Sequence, residues 1–138
     1  MADNARGDRF LTAMAVLFGL LTLSNLTKAA QYLGNPKVYG VVIFGVRFES
    51  FASNLVLGPL MGLLVGAYAY GLWNRRRWVA PLSIVYAFYV PVNLVLFWYR
   101  ATSPEIPPVG FILAYLAVAF TGSIGTALYI AYHRDLLR

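Results

Sequence analysis

Few residues in this chain could do chemistry, and three of them are asparagines in apolar company: Asn25, Asn54 and Asn93. Lipid offers an amide no partner, so a polar side chain inside a span is by default a binding candidate. At about 1.5 Å of rise per residue, Asn25 and Asn93 lie roughly 22 Å from one end of their helices. Asn54 enters from the opposite end and falls near the same height. Arg47 and Glu49 precede Asn54 and sit just above this layer, with Lys28 and Gln31 close by. Tyr86, Tyr89 and Asn93 recur at spacings that share one helix face. Such a layer would line a pocket for a small polar solute or a lipid headgroup. The preferred reading is structural: the asparagines bond across helices, each bond being worth about 0.6 kcal/mol on average. Glu49 beside Arg47 is read as an ion pair at the water boundary. A proton relay needs a chain of ionisable groups, and Asp3, Asp8, Glu105 and Asp135 all fall in tails or loops.

Other chemistries lack their residues. With no cysteine and the one histidine His133 at the end of the last apolar run, no metal or haem site is expected. No Gly-rich phosphate loop, G-x-S-x-G or H-E-x-x-H pattern is present, and no serine has an evident base in its layer. No catalytic residue, cofactor or enzyme activity is expected.

The elements that would position the polar layer are four apolar runs, 10–33, 51–73, 78–99 and 109–132, in a chain of 138 residues that is 60% hydrophobic and 12% charged. Each meets the roughly 20 residues needed to cross about 30 Å of hydrocarbon, and a spanning backbone must satisfy itself, as helices do. The expected fold is therefore all-α: one domain over 1–138, a four-transmembrane-helix up-down-up-down bundle. Arg6 and Arg9 before the first run resemble a secretory signal, but the run is longer than a signal core and is taken as a retained helix. The net charge of +6 is read as a topology signal and not as a nucleic-acid surface. Arg6, Arg9, Arg75–Arg77, Arg134 and Arg138 on one side, against Lys28, Lys37, Arg47 and Arg100 on the other, favour both termini in the cytoplasm, with dual insertion as the alternative. Trp73, Trp78, Trp98 and Tyr99 mark helix ends at headgroup level.

Packing signals are abundant. Gly58, Gly62 and Gly66 form a ridge with Asn54 at a spacing of four, which lets a neighbouring helix approach closely in lipid. Ala119, Ser123 and Ala127 repeat the theme in the last run, so the second and fourth helices are expected to pack together, or one of them on a second protomer. Pro81 and Pro91 lie in the third run, where a mid-span proline tends to kink a helix. Between the first two runs, Gly34-Asn35-Pro36 stops the first helix. The following segment 38–48 is too short to span and too apolar for a solvated loop. It is expected to form an interfacial or partly re-entrant cap, either extended or a short helix, with its β-branched and aromatic content favouring extended.

The layout, together with the segment GLWNRRRWVAPL at 71–82, resembles small bacterial four-helix membrane proteins of the DoxX-like group. That resemblance implies a bacterial inner-membrane location and transfers no functional residue. The expected function is that of a non-enzymatic membrane protein that self-associates or serves as an accessory subunit of a larger complex. The rival is a binder or transporter of a small polar solute or lipid through the outer-leaflet polar layer.

Overall fold

A computed structural model describes residues 2–36, 40–100 and 109–138. The chain order is α1 (Ala2–Leu26), α2 (Lys28–Gly34), β1 (Val42–Ile43), β2 (Val46–Arg47), α3 (Phe51–Trp73), α4 (Val79–Arg100), α5 (Val109–Phe120), a π-helical turn (Thr121–Gly125), α6 (Thr126–Tyr132) and a 3-10 turn (Arg134–Leu136). Four helical stretches are long and apolar enough to cross a membrane: Arg9–Leu26, Phe51–Trp73, Val79–Arg100 and Leu113–Tyr132. The expected helical class and the four spans are present. The loop 101–108 and residues 37–39 lie outside the described residues.

Two of the expected helices are interrupted. The run 10–33 breaks at Thr27, although backbone bonds Thr27 N to Leu23 O and Gln31 N to Thr27 O carry across it. The cause is local competition: Thr27 Oγ1 donates to Leu23 O at 2.9 Å, and Gln31 Nε2 donates to Ser24 O and to Thr27 Oγ1, both at 2.9 Å. Hydroxyls and amides that capture helix carbonyls bend a helix. The run 109–132 is interrupted by the π turn, where Thr126 Oγ1 donates to Thr121 O, five residues back. By contrast, α4 continues through Pro91, and α3 through Pro59.

The glycine ridge is packed inside the chain, against the first helix and not the fourth. A Cβ added at Gly58 would lie 2.7 Å from the Asn25 carbonyl oxygen, at Gly62 2.9 Å from Leu26 Cδ2, and at Gly66 3.1 Å from Thr22 Cγ2. Gly58 meets Asn25 and Lys28 whereas Gly66 meets Thr22, so these two helices run in opposite senses. Gly122 likewise faces Leu17 and Phe18 of α1. Ser123 is fully buried and donates to Ala119 O at 2.6 Å, while Ala119 and Ala127 are half-buried. The expected pairing of the second and fourth helices through these ridges is thus corrected: α1 occupies the α3 ridge because its own small Thr22 and Asn25 backbone fit there. The last helix lies instead beside α4 and α1.

The core gathers at the end that carries the arginine loop. Leu11, Ala15, Phe18, Tyr68, Ala69, Leu72, Val79, Ile130 and Leu137 pack there. The chain leaves α3 through a Schellman turn: Arg76 N donates to Gly71 O at 2.8 Å and Arg75 N to Leu72 O at 3.1 Å, with Arg75 at φ +54°. Residues 75–77 are then bonded to the last residue, Arg138 N to Arg75 O at 2.6 Å and Arg77 N to Arg138 O at 3.1 Å.

Candidate functional site

At the opposite end, segment 40–50 is a short antiparallel hairpin with Val42 paired to Arg47 and Ile43 to Val46, which is the extended form expected. Its two-residue turn places Phe44 at φ +47° and Gly45 at φ +76°, the backbone of the tight turns that match strand twist. Phenylalanine at positive φ is an outlier that needs an external hold. Three contacts supply it: the ring of Phe44 meets Tyr89 edge-on at 5.5 Å, Arg100 Nη1 donates to Phe44 O at 3.2 Å, and Asn93 Oδ1 accepts from Gly45 N at 2.9 Å. A Cβ on Gly45 would lie 2.4 Å from the Leu96 carbonyl carbon, so the turn presses directly on α4. Asn93 is seven residues before the end of α4, so the tip dips roughly 10 Å below the helix end.

Asn54 holds the other end of the hairpin. It is fully buried. Its Oδ1 accepts from Val41 N at 2.8 Å, and its Nδ2 donates to Phe48 O and Ser50 O, both at 2.8 Å. Buried backbone groups must find their partners within the protein, and these two side-chain amides provide them. Ser50 begins α3 by accepting from Ser53 N at 3.1 Å, an N-cap.

The six residues expected to form one polar layer are therefore divided. Asn54, Asn93 and Tyr89 meet at the hairpin. Asn25 does not: its Nδ2 donates to Leu21 O of its own helix at 2.9 Å. Arg47 and Glu49 form an exposed ion pair at 3.1 Å, of the kind worth about 0–1 kcal/mol, and Glu49 O accepts from Tyr32 OH at 2.7 Å. The expectation that the asparagines bond helix to helix is corrected: Asn54 and Asn93 bond the cap's backbone, because that backbone carries the unpaired N–H groups nearest to them. Lys28, half-buried beside Gly58, has its pKa held below the usual 10.5 by desolvation, and among the described residues its amine donates to Gln31 Oε1 at 3.4 Å.

Two features escaped the sequence reading. Phe18, Tyr68 and Tyr86 form an aromatic cluster within the core, with centroids 4.9 to 5.9 Å apart. Buried Ser83 lies on α4 nearby and donates to Ala80 O at 2.7 Å. The spacing of Tyr86 and Tyr89 was visible, but the partners on α1 and α3 were not. The second is an open apolar groove of about 620 Å3 along the π turn and α6, walled at one end by Phe10. Among the described residues, no three His, Cys, Asp or Glu side chains could share a metal ion. In comparison with known proteins, no family model, no curated protein and no solved structure matches this chain.

Proposed function

We propose that the protein is a non-enzymatic integral membrane protein that acts by assembly, with its own copies or as an accessory subunit of a larger complex. In this reading it is an up-down-up-down bundle in a bacterial inner membrane, with both termini cytoplasmic. One observation carries the proposal: the asparagine side chains and the buried serines within the spans are engaged by the chain's own backbone, the buried Tyr68 hydroxyl being without a hydrogen-bond partner among the described residues. Thr22 donates to Phe18 O, Asn25 to Leu21 O, Ser83 to Ala80 O and Ser123 to Ala119 O, while Asn54 and Asn93 serve the hairpin. A solute carrier needs inward polar groups that converge on its cargo, and Asn25, Asn54 and Asn93 do not converge. The orientation is supported by the collection of Arg75–Arg77, Arg134 and Arg138 at one end, and the topology by the opposed senses of α1 and α3.

Because the glycine ridge is occupied by α1, assembly falls to another face. The outward row Val85, Phe88, Val92, Val95 and Tyr99 of α4 is exposed and repeats at three and four residues, the spacing of left-handed helix pairs. The test is the mass of protein extracted with its native lipid. A multiple of 15.3 kDa, or a co-purifying membrane protein, is expected; a lone 15.3-kDa chain refutes the reading. Gly62→Leu should leave the assembly size unchanged and lower stability by about 1–3 kcal/mol through overpacking against Leu26.

A further inference from the structure

We propose that the groove beside the π turn is a binding site for one anionic glycerophospholipid, with an acyl chain along α6 and the phosphate at the arginine end. The groove is lined by Phe120, Thr121, Ile124, Gly125, Leu128 and Tyr129, and by Phe10, Tyr132 and His133 at its mouth. Its wall is almost wholly apolar. From residue 120 to residue 133 the helix rises roughly 20 Å, enough for an acyl chain of one leaflet, which fills about half of a 30 Å core.

The π turn shapes this groove. Insertions of this type widen a helix locally and recur at functional sites. Here the turn sets Gly122 against α1 and leaves Gly125 on the groove floor, where an added Cβ would meet only atoms of its own helix, at 3.7 Å or more. The mouth is also built. Phe10, Tyr129 and His133 stack in series, with both centroid separations 4.3 Å. His133 Nδ1 lies 3.0 Å from Tyr129 O, which holds the ring against Tyr129. Arg9 and Arg134 flank Phe10 and His133 in the chain and are exposed, with Asp135 the acidic neighbour.

Charge selects the occupant. A neutral lipid or an apolar helix would gain nothing from Arg9 and Arg134, whereas a phosphodiester without a compensating amine gains from both. Basic residues at helix ends on the cytoplasmic side attract anionic headgroups in this way.

Native mass spectrometry of the full chain, released from nanodiscs of phosphatidylglycerol and phosphatidylcholine in equal parts, tests the assignment. One retained phosphatidylglycerol is expected in preference to phosphatidylcholine. Each of Arg9→Gln and Arg134→Gln should reduce that preference about fivefold, and the pair about thirtyfold. Gly125→Leu should fill the floor and abolish retention of either lipid while the helical circular dichroism is unchanged. Equal retention of the two lipids by the native chain overturns the proposal. So does retention that survives Gly125→Leu in a folded protein, or a crosslink from position 125 to a second copy of the chain. Should Gly125→Leu not fold, the arginine variants decide alone.

Discussion

Replacing Asn54 by leucine isolates what holds the cap. The two side chains have the same number of heavy atoms and branch at the same carbon, so the change removes hydrogen bonding with little change of shape. Val41 N–H loses its acceptor in a residue that is 3% exposed, and Phe48 O loses the Nδ2 donor. Ser50 O keeps the Asn54 backbone N–H and Ser53 Oγ. An orphaned buried polar group costs about 1–3 kcal/mol; with two orphans and some relaxation the expected cost is about 2–4 kcal/mol. Asn93→Leu removes one bond, to the N–H of buried Gly45, and should cost about 1 kcal/mol. Residue-resolved amide exchange in nanodiscs reads both. For Asn54→Leu the Val41 amide should exchange at least thirtyfold faster, since every 1.4 kcal/mol is tenfold, while amides in the middle of α4 stay protected. For Asn93→Leu the Gly45 amide should speed up severalfold. The sign is diagnostic, because an unneeded asparagine in a span would be improved by leucine. Unchanged or slower exchange over 40–48 in Asn54→Leu would refute the reasoning.

Gly45→Ala should lift the hairpin tip from α4, since the alanine Cβ would meet Leu96 backbone at 2.4 Å on a residue at φ +76°. The amide at position 45 should then exchange faster while Val41 stays protected by Asn54; a tip that remains protected counts against the contact. For Lys28, burial makes the folded state bind its proton less tightly than the unfolded state. Stability should therefore rise with pH between the depressed folded pKa and 10.5, with the penalty fully present below the folded pKa. Melting temperatures measured from neutral pH upward should show this rise in the native chain and lose it in Lys28→Met, which should also be the more stable at pH 7. Parallel profiles for the two proteins would show that burial of the amine is not felt.

Much of the architecture was legible in the chain itself. Long apolar runs must become helices in lipid because no other partner exists for their backbone, so the four spans followed from composition and length. Glycine spacing showed that α3 would be approached closely. The β-branched and aromatic content of segment 38–48 favoured an extended cap, but the turn at Phe44 and Gly45 was not read from the chain. The partners were another matter. A small-residue ridge has no marker for which helix it accepts, so α1 in place of the fourth helix emerged only when Thr22 and the Asn25 backbone were seen against Gly66 and Gly58. The asparagines look alike in sequence. Tertiary structure alone decided that Asn25 bonds its own turn while Asn54 and Asn93 serve the hairpin, because a side-chain amide pairs with whichever unmet backbone group the fold brings within about 3 Å. The π turn belongs to the same class: Thr121-Gly122-Ser123-Ile124-Gly125 tolerates a widened helix, but only packing of Gly122 on Leu17 and Phe18 places it beside the mouth formed by Phe10 and His133.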